Sequence, residues 1–215
     1  MRYPIGIVAV AFSGATPRRC AERASALGFD HLDVDEAALG ALAAGSPSPV
    51  PIGDVIARRG FPAGRTRVAP APRADRSYDD LVRLLRAHPG CRLEPGPGTV
   101  AGSAAAVRSL VEDVPGLRFC IDTGHVAAWG EDPVDLLDLA DHVQLRQAAP
   151  GDPQRHPGDG GDVDFGAVVR RLGEVGYRGR LSVEYFDLPE LGWPLEDPVG
   201  CAVALRDHVR RIMAA

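Results

Sequence analysis

Short apolar or β-branched runs alternate along the chain with longer segments whose apolar positions recur every three or four residues. The two patterns predict strands and helices in succession. A first strand is expected at Ile5–Ala11, and a first helix from Thr16, with Pro17 at its first position, to Leu27, where Gly28 stops it. Asp30–Val34 follows as a strand and Glu36–Ala44 as a short helix closed by Gly45. The next stretch is weaker, with a Pro-rich turn over 46–51, a poor strand near Val50–Ile52 and a stunted helix at Asp54–Arg59. Arg67–Ala69 is a fourth strand. Tyr78–Ala87 is a clear helix, with Leu81, Leu84 and Leu85 on one face and Ser77 as its cap.

The second half is more regular. Cys91–Glu94 is a strand, Ser103–Glu112 a helix, Leu117–Asp122 a strand, Pro133–Ala140 a helix and His142–Leu145 a strand. A polar Gly-rich loop leads to Asp164, the cap of a helix at Phe165–Val175 that Gly176 ends. Leu181–Tyr185 is then the eighth strand and Asp197–Met213 the last helix. Eight alternating units imply parallel strands with right-handed crossovers, in the number that closes a barrel. The expected fold is a compact α/β structure, a (β/α)8 TIM barrel forming one domain over residues 1–215. Its first half must have shortened helices, because Asp35 to Gly90 has to hold three helices and two strands. An open doubly wound sheet is the runner-up, but no GxGxxG follows the first strand, where Phe12-Ser13-Gly14-Ala15-Thr16 stands.

Composition narrows the function classes. A chain of 215 residues with 45% hydrophobic and 25% charged residues matches an ordinary globular protein. The formal charge of −5 weakens any case for a nucleic-acid partner. No run reaches the ~18 apolar residues that a membrane span needs. The apolar run Ile5–Phe12 has only Arg2 before it and merges into the first strand, so it is read as fold and not as a secretory leader. Cys20, Cys91, Cys120 and Cys201 form no CxxC pair, and buried free thiols in a cytoplasmic protein are the expectation. All 24 basic residues are arginine, which excludes Schiff-base chemistry through a lysine.

The candidate chemistry lies at the C-terminal ends of the later strands, where α/β folds bind ligands. Alternate side chains of a strand point into the barrel, so Glu94, Asp122, Gln144 and Glu184 should be the last inward residues of strands five to eight. Three carboxylates at about 5 Å would repel by roughly 3 kcal/mol per pair at an effective dielectric near 20. The ring therefore needs a cation or abnormal protonation, and a divalent metal is the simpler answer. His125 follows Asp122 by three residues. Arg146 points into the mouth by parity, either toward a substrate anion or toward Glu94 or Glu184. His142 has the same parity one layer lower, suited to reaching the site from below or to packing in the core. His156, with the glycines at 158, 160 and 161, lies on a loop that could close over substrate. Trp129 and Trp193 follow strands six and eight, where an aromatic wall could meet a sugar ring. Asp33 and Asp35 have mouth-side parity but no partner in the sequence.

Asp122-Thr-Gly-His125, His142-Val-Gln-Leu-Arg146, Gly158-Asp-Gly-Gly-Asp-Val-Asp-Phe165 and Gly176-Tyr-Arg-Gly-Arg-Leu-Ser-Val-Glu184 together resemble the xylose isomerase-like barrels, the sugar phosphate isomerase/epimerase superfamily. The resemblance is strong from Leu93 to Phe186 and in the last helix. It implies a divalent metal held at Glu94, Asp122, Gln144 and Glu184, with His125 as a histidine that supports the metal ligands from behind or binds substrate. The chain departs from the family at Gln144, where His-hydrophobic-Lys-Asp is replaced by Gln-Leu-Arg-Gln. An all-oxygen ring favours Mg²⁺ or Mn²⁺ over Zn²⁺.

The expected function is a metal-dependent isomerase or epimerase acting on a small sugar, keto-sugar or polyol through an enediolate. Glu94 and Glu184 would exchange the proton and His125 would polarise the substrate oxygen, with Arg146, His156, Trp129 and His142 on the substrate side. A dehydratase of a cyclic polyol or hydroxy acid could use the same site. A phosphodiesterase, or a small-ligand-binding barrel that has lost its metal, are the competing classes. The lean first half also leaves room for a partner subunit, as in a homodimer, to complete the site.

Overall fold

The computed structural model describes residues 2–57, 67–70, 73 and 77–215. Eight parallel strands close a barrel: β1 (Ile5–Val8), β2 (Leu32–Asp35), β3 (Ile52–Ile56), β4 (Arg67–Pro70), β5 (Arg92–Glu94), β6 (Arg118–Asp122), β7 (Ala140–Leu145) and, after a hairpin of β8 (Gln147–Ala149) and β9 (Asp152–Arg155), β10 (Leu181–Val183). β10 pairs with both β1 and β7, which completes the ring. The helices are α1 (Pro17–Ala26), α2 (Glu36–Ala43), α3 (Tyr78–Ala87), α4 (Ala104–Asp113), α5 (Thr123–Ala128), α6 (Phe165–Glu174) and α7 (Pro198–Ala214). A 3-10 helix, Pro133–Leu139, connects α5 to β7.

Local chemistry explains most of these boundaries. The Asp35, Ser103 and Asp164 side chains accept from the backbone N–H three residues on, which satisfies donors that the first turns of α2, α4 and α6 leave open. Thr16 does the same for α1, with Pro17 inside its first turn. Ser77 stands at the N-cap of α3, but its side chain makes no capping bond.

Several elements differ from the sequence expectation: the first strand ends at Val8 and gives way to a 3-10 helix over Ala9–Phe12, and α5 was not expected. Asp54, expected in a helix, lies within β3, because Ile52, Val55 and Ile56 carry the strand past the Gly-Asp pair. The rest of that expected helix, from Arg58, lies outside the described residues. The expected loop after β7 opens instead with the β8–β9 hairpin.

The barrel has an apolar outside and a polar inside. Ile5, Ile7, Leu32, Val34, Leu93, Phe119, Ile121, Val143, Leu145, Leu181 and Val183 are all fully buried in the hydrophobic core. The residues alternating with them include Gly6, His31, Asp33, Arg92, His142, Gln144 and Ser182, also buried. Contacts between strands that are not sheet neighbours show that this second set fills the interior. His142 on β7 places Nε2 3.0 Å from Asp33 on β2 and Nδ1 2.7 Å from Asp54 on β3. Arg92 on β5 reaches Asp54 at 2.6 Å and Asp141 at 2.7 Å. His31 Nε2 lies 2.8 Å from Ser182 Oγ on β10. TIM barrels ordinarily fill this space with branched aliphatic layers; here a chain of alternating charges does so.

Two glycines make room for it. A Cβ on Gly6 would stand 2.3 Å from the His31 ring, and one on Gly53 would stand 2.2 Å from Asp33 Oδ1 and 2.3 Å from His31. Overpacking of a closed interior costs about 1–3 kcal/mol. Gly53→Ala is therefore expected to lower the urea midpoint by an amount in that range, whereas Gly173→Ala, with open space around its Cβ, should leave it unchanged or raise it. Equal midpoints for the two variants would show that the interior is looser than described.

Candidate active site

The C-terminal ends of β5, β6, β7 and β10 are consecutive around the barrel, and they bring the expected ring together. Glu94, Asp122, Gln144 and Glu184 are all buried. Barrel stagger changes who stands beside whom. Asp122 is in register with Gln144, and Gln144 with Ser182, so Glu184 is level with Arg146. Its N–H donates to the Leu145 carbonyl at 3.1 Å.

Asp122 serves two structures at once. Its Oδ1 accepts from the N–H of Gly124 at 2.7 Å and of His125 at 3.4 Å, which caps α5. Its Oδ2 faces the ring, where Arg146 Nη2 donates to it and His125 Nε2 lies 3.7 Å away. Arg146 is fully buried and its Nη2 also lies 3.8 Å from Glu184 Oε2. Its guanidinium carbon sits 5.0 Å from the centre of the Phe186 ring and 5.6 Å from that of Trp193, within cation–π range. The Thr123 hydroxyl bonds both the N–H and the carbonyl of Arg146, at 2.9 and 3.0 Å. Gly124 provides the floor, since a Cβ there would meet Arg146 Nε at 2.7 Å.

His125 Nδ1 is 3.0 Å from the Pro95 carbonyl oxygen. A carbonyl only accepts, so Nδ1 carries the proton and Nε2 presents a lone pair toward Asp122. Burial holds this imidazole below the usual histidine range, Asp122 notwithstanding. A neutral ring of that tautomer accepts or ligates at Nε2. Polarising a substrate oxygen from that nitrogen would need a proton there.

The carboxylates are driven apart in proton affinity. Burial first, and Asp122 second, push Glu94 up to about 7. Burial and Glu94 push Glu184 well above the usual carboxylate range, and a hydrogen bond to Asp122 holds its proton. Burial works against ionised Asp122 too, but Arg146, with help from the Gly124 N–H, outweighs it and keeps this group below its ordinary value. Like charges crowded in a dry site cannot all ionise, and Arg146 decides which one does.

The other expected residues are distributed unevenly. Of the two tryptophans, Trp193 reaches the site: it stacks on Phe186 at 5.2 Å and meets the His125 ring edge-on at 5.9 Å. Trp129 instead ends α5 and packs against the core. His156 sits half-exposed on the loop after β9, 3.8 Å from Asp159. His142 is corrected to an interior residue, sealed from the mouth with Asp33 and Asp54 at its two nitrogens. Burial would lower its proton affinity, but those two carboxylates outweigh it and lift His142 to about 9. Asp54 and Arg92 were missed from the sequence. The β-branched run Ile52–Ile56 was the available signal for Asp54, while nothing local marks Arg92 as an interior cation.

Beside the ring, over β1 to β3, opens a cleft of about 850 Å³. Its walls include Phe12, Ile56 and Phe186, and its charged lining among the described residues is Asp33, Asp35 and Glu184, all acidic. Arg58 and Arg59, next in sequence after Ala57, lie outside the described residues.

Among the described residues, two groups have the composition and spacing to hold a metal, with ligand atoms within 4.8 Å of one another: Glu94, Asp122 and His125, and Asp33, Asp54 and His142. In the second, the histidine is already engaged by both carboxylates. The first fits better, because His125 offers a lone pair and both amide atoms of buried Gln144 lack a hydrogen-bond partner among the described residues.

A parallel (β/α)8 barrel with shifted carboxylates at its C-terminal mouth defines the class. The sequence profile of the xylose isomerase-like TIM barrel family matches residues 18–203, and the chain belongs to that family. A search of curated proteins returns no match. Solved structures of similar fold include D-psicose 3-epimerase from Clostridium cellulolyticum H10 with D-tagatose (TM-score 0.71, 14% identity, 98% of this chain and 99% of that one). Others are 3-keto-D-glucoside 4-epimerase from E. coli (0.65, 18%, all of both chains) and the probable 3-DHS dehydratase of petrobactin synthesis from Bacillus anthracis (0.68, 13%, 96% and 99%). Among the described residues, no helix is long and apolar enough to cross a membrane.

Proposed function

We propose that the protein is an isomerase or epimerase of a small sugar, keto-sugar or polyol, acting by proton transfer at a carbon next to a carbonyl. The observation that carries this reading is the split among the three carboxylates. Glu94, lifted to about 7, can take a proton from carbon near neutrality and return it. Glu184 holds a proton and lies on the cleft wall, placed to give it to the opposite face of the substrate or to a leaving hydroxyl. Asp122 stays ionised and fixes Arg146 and α5.

Glu94, Asp122 and His125, with the Gln144 amide oxygen, would hold a divalent ion, and the carboxylate-rich donor set makes Mn²⁺ or Mg²⁺ the first choices. Such an ion supplies Lewis-acid stabilisation of charge on substrate oxygen. Trp193 and Phe186 give a flat apolar surface for the C–H face of a sugar. The epimerases of similar fold support a sugar substrate. The dehydratase of similar fold keeps elimination as the second reading, since a proton on Glu184 also suits loss of a hydroxyl.

The test is incubation with a panel of neutral ketoses and polyols in D₂O containing Mn²⁺. Deuterium entering the carbon next to the carbonyl, with an epimer or isomer formed, is the expected result. Loss of water from substrate selects the dehydratase, and no exchange across the panel overturns carbon-acid chemistry.

A further inference from the structure

We propose that Arg146 is a resident cation of the carboxylate ring, an intramolecular competitor that a divalent ion must displace from Asp122. The inference rests on the metal-binding part of the function proposed above and goes beyond it, because it makes the affinity for that ion a property of this one side chain.

Geometry carries the argument. Asp122 belongs to the candidate ligand group with Glu94 and His125, and its oxygen that lies 3.7 Å from His125 Nε2 is the one bound by Arg146 Nη2. Arg146 also stands level with Glu184 and 3.8 Å from it, so one guanidinium spans two of the three ring carboxylates. The side chain is built in. It is wholly buried, lies across Gly124 where no Cβ would fit, is covered by Phe186 and Trp193, and is tied at its backbone to Thr123. Yet its Nε and Nη1 have no hydrogen-bond partner among the described residues, and neither amide atom of Gln144 has one. Four buried polar atoms without partners among the described residues mark the ring as incomplete. A guanidinium gives planar donors and a permanent charge, so the ring remains balanced when no ion is bound. An ion entering between Glu94, Asp122 and His125 places two positive charges beside that guanidinium, and repulsion lowers its affinity.

The experiment compares Mn²⁺ binding, by calorimetry and elemental analysis, and thermal melting with Mn²⁺ or with EDTA, in wild type, Arg146→Met and Arg146→Gln. The glutamine variant removes the charge but leaves an N–H for Asp122, so it stays informative if the methionine variant does not fold. Expected is weak Mn²⁺ binding by wild type, with a melting temperature nearly the same in Mn²⁺ and EDTA. The neutral variants should bind Mn²⁺ at least tenfold more tightly and melt lower in EDTA, with recovery in Mn²⁺. If wild type and both variants bind Mn²⁺ equally, Arg146 is not a competitor, while the metal reading survives. If none binds at millimolar Mn²⁺, the inference and the metal reading fall together.

Discussion

His142→Leu is expected to cost roughly 3–5 kcal/mol of folding stability, read as the shift in a urea transition at pH 6.5. Removing one member of a buried charge network leaves the others uncompensated, and costs of that size follow. Here the loss strands Asp33, held at about 2 when paired although burial pushes it upward, and takes from Asp54 one of its two partners among the described residues, leaving Arg92. The sign of the pH dependence provides an independent check. His142 is lifted from 6.5 to about 9 in the fold, so its contribution is complete below pH 6.5 and is lost as pH rises through 9. That amounts to about 3 kcal/mol of declining stability between pH 6.5 and 9 in wild type. The leucine variant should lack that decline. Adding Asp33→Asn and Asp54→Asn to it should recover part of the loss, since the stranded charges are then gone. A loss under about 1 kcal/mol with an unchanged pH profile would show that the interior network does not carry charge.

Glu94→Gln should abolish carbon-bound proton exchange, with a rate loss on the order of 10² to 10⁴, and leave the fold intact. The two effects separate because they have different origins. As a base, Glu94 supplies the atom that takes the proton, which an amide cannot do. In the fold, Glu94 is held up to about 7 by burial and Asp122, so the stability present below its ordinary 4.5 is lost as pH rises through 7. Glutamine removes that penalty, and melting at pH 8 should be equal to or higher than in wild type. Retained exchange in Glu94→Gln would transfer the base role to another group, and a large drop in melting temperature would make Glu94 structural.

Much of the barrel was written in local patterns. The alternation of Phe119 and Ile121 with Cys120 and Asp122, or of Val143 and Leu145 with His142 and Gln144, assigns one face of each strand outward and the other inward. Thr16 and Asp164 placed two helix starts and cap them in the fold, whereas the caps made by Asp35 and Ser103 were not among the sequence expectations. Local reading failed at Asp54, where a five-residue strand was too short to oppose helix-like spacing beyond it. It also overlooked the β8–β9 hairpin, whose polar sequence around Pro150 and Gly151 looks like loop. At the site, parity selected Glu94, Asp122, Gln144 and Glu184, because period-two geometry is a property of each strand alone.

What each strand's own sequence could not determine is distance between strands. The shear of the closed barrel puts Glu184 beside Arg146 and not beside Gln144, and it bonds that arginine to Asp122, a partner the sequence did not suggest, with Glu184 3.8 Å away. Closure also brings β2, β3 and β7 together across the interior, which gives Asp33 the partner its sequence lacked and draws His142 away from the mouth. The sequence by itself determined the order of elements, the face each side chain takes and the residue types at the mouth, since these depend on neighbours along the chain. Only the tertiary structure decided which charges meet, which carboxylate keeps its proton and which histidine nitrogen is free, since those depend on contacts made when the ends of the sheet join.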